Sequence, residues 1–109
     1  MENAQNISEQ SYVKNQNPQF GKLVLLYFSA QWCGPSKRMA PLIQTLTEEY
    51  RERMEIMKID ITQEERLAED MQIRSIPSFI LLRNGIEVGR KTGTMTKSEL
   101  EMFFGSFME

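Results

Sequence analysis

Few side chains in this sequence can carry chemistry, and the first of them stands alone: Cys33 is the single cysteine, and there is no histidine. That inventory removes histidine acid/base catalysis, Cys/His metal clusters and any internal disulfide framework, so neither a metal nor a cofactor is expected. Cys33 lies in the run Trp32-Cys33-Gly34-Pro35-Ser36-Lys37, after an apolar stretch and before residues at helical spacing. A cysteine in the first turn of a helix faces unpaired backbone N–H groups and the positive end of the helix dipole, which favour a thiolate over a thiol. The thiolate is the attacking species in thiol-disulfide exchange. Gly34 lets another chain come close to the sulfur, and Pro35 has the fixed φ that suits a first helical turn, where its missing N–H costs nothing. A structural cysteine would instead sit in mid-element among apolar neighbours. The carboxylate pairs Glu48-Glu49 and Glu64-Glu65 lie on helical segments and read as solvated faces or capping groups, with no catalytic role.

The elements that position Cys33 follow from hydrophobic patterning. Leu23-Val24-Leu25-Leu26-Tyr27-Phe28 is a continuous apolar run of strand formers, suited to a central strand buried on both faces. Met39, Leu42, Ile43, Leu46 and Tyr50 recur at helical spacing, which predicts a helix from about Gly34 to about Arg51 with Pro41 kinking it. Met54 to Ile61 reads as a strand with Met57, Ile59 and Ile61 on one face and Lys58 on the other. Thr62-Gln63-Glu64-Glu65 fits a capping box that would start a short helix to about Met71. Ser78-Phe79-Ile80-Leu81-Leu82 and Ile86-Glu87-Val88 flank Arg83-Asn84-Gly85, a strong hairpin signal, so the last two strands are expected to be antiparallel. Thr96-Lys97-Ser98-Glu99 is a second capping box, and Leu100, Phe103, Phe104 and Phe107 form a stripe that suits core packing on a terminal helix. Near the start, Ser8 could cap a short helix through Val13, followed by a loop across Asn15-Gln16-Asn17-Pro18. The pattern predicts an α/β fold with a mixed sheet flanked by helices.

Composition bounds the remaining possibilities. With 109 residues, 40% hydrophobic and 26% charged, the chain is expected to form one domain over residues 1–109. The 13 basic and 15 acidic side chains are interspersed, for a net charge of -2, so neither nucleic acid nor a membrane surface is an expected partner. The polar start, Met1-Glu2-Asn3-Ala4-Gln5-Asn6, lacks the basic and apolar regions of a signal peptide, which reads as cytoplasmic; a periplasmic setting would require a leader already removed.

The segment Phe28-Ser29-Ala30-Gln31-Trp32-Cys33-Gly34-Pro35-Ser36-Lys37, with Pro41 downstream, resembles the active-site segment of thioredoxins with the second cysteine changed to serine. Ile73-Arg74-Ser75-Ile76-Pro77 is similar to the segment in which that family holds a cis-proline against the active site. Asn84-Gly85 and then Gly93 fall at its hairpin and glycine positions, and the likeness runs from about residue 7. The resemblance implies a thioredoxin fold with Cys33 exposed beside a shallow groove for extended protein segments, lined by Trp32, Gly34, Pro35, Ile76, Pro77, Thr92 and Gly93. It also implies disulfide-containing protein substrates and, for a dithiol form, a thioredoxin reductase as partner. Independently, a proline closing a loop before a strand leaves neighbouring backbone groups free to bond a substrate, although a plain strand-start proline would serve as well.

Two departures bear on function. Ser36 stands where the family has its resolving cysteine, and a serine hydroxyl cannot break a mixed disulfide by exchange. Tyr27 stands where thioredoxins carry a buried aspartate, while Lys58, which would accompany that aspartate, remains. Lys58 could favour the Cys33 thiolate from a distance, donate to the Tyr27 hydroxyl, or simply extend into solvent. Ser36 admits two readings: a protein-disulfide reductase in which serine was introduced to trap substrates, or a natural monothiol protein acting as a glutathione-dependent exchanger or binding module. A peroxidase is disfavoured, because that class's threonine and arginine arrangement is not apparent. A Cys33-linked dimer is expected on oxidation.

Overall fold

The computed structural model describes residues 23–108, so the helix expected between Ser8 and Val13 and the loop after it lie outside the described residues. The order is β1 (Leu23–Ser29), α1 (Gly34–Glu49), β2 (Met54–Asp60), α2 (Glu65–Asp70), β3 (Ser78–Arg83), β4 (Ile86–Thr92) and α3 (Lys97–Gly105). The strands form one sheet in the order β2-β1-β3-β4. β1 runs parallel to β2 and antiparallel to β3, and β3 runs antiparallel to β4, so the sheet is mixed.

The unbroken apolar run of β1 follows from its interior place: alternate residues must satisfy two cores. Leu23, Leu25 and Tyr27 pack with Met39, Ile43 and Leu46 of α1 and with Leu100 and Phe104 of α3. Val24, Leu26 and Phe28 face the other way, onto Leu67 and Ala68 of α2. The helices therefore cover both faces, and the Phe103, Phe104 and Phe107 stripe is core packing. Asn84 and Gly85 turn the β3–β4 hairpin with positive φ at both positions, which is the geometry that makes Asn-Gly a hairpin signal.

Two boundaries differ from expectation. The Thr62 capping box does not form: α2 starts at Glu65, with Glu64 as N-cap and no side-chain cap bond. Asp60 at the end of β2 captures Thr62 instead, its Oδ1 accepting the Thr62 backbone N–H at 2.8 Å and the hydroxyl at 2.6 Å. A competing local side-chain bond thus outbids the cap. The second difference is in β4, which continues beyond Val88 to Thr92, its polar residues held by pairing with β3, from Arg83↔Ile86 through Ser78↔Thr92. At Thr96 the expected box is complete: the hydroxyl accepts from the Glu99 N–H, and the Glu99 carboxylate accepts from the Thr96 N–H.

Candidate active site

Cys33 and Pro77 are brought to one end of the sheet by strand register. Phe28 near the end of β1 pairs with Ser78 at the start of β3, and Ser78 pairs in turn with Thr92 at the end of β4. The turn leaving β1 carries Cys33, and the turn entering β3 carries Pro77, so antiparallel pairing sets both at the same end. The Ile76–Pro77 bond is cis, and the Pro77 carbonyl accepts the Gly93 N–H at 2.8 Å, which ties the two edges together. Gly93 has φ of +95°, a conformation that favours glycine.

Cys33 is the N-cap of α1. Its own N–H is spent on the Ala30 carbonyl at 3.1 Å, and its carbonyl accepts the first helical bond from Lys37 at 3.0 Å. Gly34 and Ser36 therefore leave N–H groups at the helix start without intrahelical partners, and Pro35 has none to leave. This end of α1 bears partial positive charge. The expectation of an exposed Cys33 needs correction, because only 8% of it reaches solvent. Cys33, Ser36 and Met39 recur every three residues and begin the buried stripe that Ile43 and Leu46 continue, so the helix's inward face takes the cysteine with it. Trp32 is 69% exposed beside it, and Gly34 and Pro35 are exposed as well.

Ser36 is only 3% exposed, and its Oγ has no hydrogen-bond partner among the described residues. Tyr27 reaches the same turn: its hydroxyl donates to the Ser36 backbone carbonyl at 2.9 Å. Burial pushes the Tyr27 phenol above its ordinary value of 10.0. Of the alternatives open for Lys58, extension into solvent is the one observed, and donation to that hydroxyl is not. Lys58 pairs with Tyr27 in register, but β2 lies at one edge of the sheet formed by the described residues and the lysine side chain is exposed. It extends into solvent while the tyrosine turns inward to the helix.

Of the other residues expected to line a groove, Thr92 is exposed, Ile76 and Gly93 are half-buried and Pro77 is buried. Sequence reasoning did not weigh Arg74, Gln72, Glu87 or Arg90, which border an open cleft of about 510 Å³ together with Ser75, Ser78 and Thr92. Arg74 stands in the quoted Ile73-Arg74-Ser75 segment, but only the fold brings β4 beside it.

A mixed sheet with helices on both faces, a cysteine at a strand-to-helix turn and a cis-proline at the same end define a class of redox-active α/β proteins. The thioredoxin family model matches residues 4–106. The chain is 34% identical over 88 residues to the thioredoxin of Buchnera aphidicola subsp. Baizongia pistaciae, covering 81% of each chain. It is 36% identical over 80 residues to thioredoxin C-2 of Corynebacterium nephridii, covering 73% of this chain and 74% of that one. The crystal structure of thioredoxin NaTrxh from Nicotiana alata superposes with a TM-score of 0.83 at 33% identity, covering 92% of this chain and 84% of that one. The chain belongs to the thioredoxin family, which is consistent with thiol-disulfide redox chemistry.

Proposed function

We propose that the chain carries out the first half of protein-disulfide reduction, with Cys33 as nucleophile, and stalls there because Ser36 occupies the resolving cysteine's place. The Cys33 thiolate attacks one sulfur of a substrate disulfide; that S–S bond breaks, a new one forms to Cys33, and the second substrate thiolate leaves and takes a proton from solvent. Release needs a thiolate from outside, such as glutathione, which attacks the mixed disulfide and returns Cys33 as thiolate. A cytoplasmic setting would supply that thiol. Trp32, Gly34, Pro35, Ile76, Pro77, Thr92 and Gly93 would offer the surface on which an extended substrate lies.

The observation that carries this reading is the buried Ser36 Oγ, which has no hydrogen-bond partner among the described residues. A thiol tolerates an unpaired buried position, whereas a hydroxyl there costs about 1–3 kcal/mol. The site therefore suits cysteine better than the serine it holds, which favours a dithiol reductase converted into a substrate trap. A natural monothiol exchanger or binding module is the second reading, favoured by Tyr27, a neutral phenol bonded to the Ser36 carbonyl where the family has a carboxylate. Under both, Cys33 forms the mixed disulfide.

Incubation with a disulfide-bonded peptide followed by intact mass spectrometry tests the shared step. One peptide half should add to Cys33 and persist until glutathione is supplied, with none on Cys33→Ala. A chain that gains no mass overturns the reading.

A further inference from the structure

Among the described residues, the cleft beside Pro77 holds one unspent cation. Its walls are the turn after α2 and the strand β4, joined by Arg90, whose Nη1 donates to the Gln72 carbonyl at 3.3 Å. Arg90 itself is neutralised: its Nε and Nη2 donate to the two Glu87 carboxylate oxygens at 2.8 and 2.9 Å, and this pairing holds the Glu87 carboxyl below its usual range. The remaining charge is Arg74. It is exposed, lines the same cleft, and its guanidinium has no hydrogen bond or ion pair among the described residues. Over the described residues that line it, the cleft's formal balance is thus one positive charge, carried by Arg74. Ser78 is used inwardly, its hydroxyl donating to the Ser75 carbonyl at 2.6 Å, so it fixes the turn that presents Arg74.

The cleft is continuous with the candidate site. Ser78 and Thr92 border it, each one residue from Pro77 and Gly93, and Arg74 precedes Pro77 by three residues, a reach of roughly 10 Å in extended chain. We infer that Arg74 selects among substrates: a polypeptide lying against Pro77 and Gly93 places an acidic side chain, aspartate or glutamate, on the Arg74 guanidinium. This rests on the proposed disulfide exchange at Cys33 and names the substrate feature favoured by that site. The planar guanidinium fits a carboxylate through two parallel hydrogen bonds, and the polar cleft leaves room for it.

Two sets of disulfide-bonded peptides test this, identical except for glutamate or glutamine scanned over the residues flanking the disulfide. The rate of mixed-disulfide formation should be about 3- to 5-fold higher for glutamate at one or two positions, the scale of an exposed ion pair, and the ratio should fall with added salt. Arg74→Gln should bring the ratio to about 1, Arg74→Glu should invert it, and Arg74→Lys should keep part of it. Circular dichroism checks that each variant is folded. Equal rates for both sets in the original chain, or a preference that persists in folded Arg74→Gln, overturns the inference and leaves the exchange reaction standing. Failure of both sets to react overturns the proposed exchange and the selectivity with it.

Discussion

The Tyr27 hydroxyl donates to the Ser36 backbone carbonyl at 2.9 Å, tying the middle of the sheet to the first turn of the helix that carries Cys33. The bond is buried, and the tyrosine ring also stacks on Phe79 with centroids 5.2 Å apart. Tyr27→Phe keeps the stacking and deletes the bond, which should cost about 1 kcal/mol in urea unfolding near neutral pH.

The same tyrosine sets an alkaline limit. Burial raises its folded value above the unfolded 10.0, so the folded state favours the neutral phenol. That contribution is fully present below pH 10.0 and is lost as pH rises from there through the folded value. Thermal melts of the original chain should therefore decline more steeply above this pH than those of Tyr27→Phe. Parallel declines would show that Tyr27 does not titrate differently on folding.

The orphaned Ser36 hydroxyl gives a test in the opposite direction. Ser36→Ala removes a buried group that has no partner among the described residues, at little loss of packing, and should raise stability by about 1 kcal/mol. A loss of similar size on urea unfolding would mean that the hydroxyl has a partner in solution.

Gln72 ends α2 in the left-handed region, with φ of 57°. Its N–H donates to the Glu69 carbonyl and that of Ile73 to the Ala68 carbonyl, the paired bonds of a Schellman motif, whose positive-φ position usually holds glycine. Gln72→Gly keeps the carbonyl that Arg90 uses and relieves the side chain's strain, and should gain about 0.5–1 kcal/mol in urea unfolding.

Gly89 works the other way. A Cβ there would stand 2.8 Å from the Phe103 ring, so α3 packs against β4 at a distance that only glycine allows. Gly89→Ala should cost about 1–3 kcal/mol and lower the melting temperature. An unchanged melting temperature would show that Phe103 yields freely.

What was legible in the sequence was local. β1, the Asn84-Gly85 turn, the Thr96 box and the helical spacing from Met39 to Leu46 are decided within a few residues, and the structure has them there. The rest depends on neighbours distant in sequence. β4 reaches Thr92 only because β3 supplies partners for a run without apolar alternation. The Thr62 box looked complete until Asp60 competed for it. At the candidate site, residue types placed Cys33 at a helix start, but its burial follows from which face α1 turns inward. Lys58 and Tyr27 are matched in register, yet one is exposed to water and the other reaches Ser36, which the register alone does not decide. Arg74 was visible as a residue, while its lack of a partner among the described residues, beside a neutralised Arg90, exists only in three dimensions.

The most direct test of the account is insulin-disulfide reduction driven by dithiothreitol, comparing this chain with Ser36→Cys. The account predicts sustained turnover by the variant, while the original chain turns over slowly, its mixed disulfide at Cys33 released only as fast as dithiothreitol attacks it. Equal activity of the two chains would contradict it, since a cysteine at position 36 would then resolve nothing.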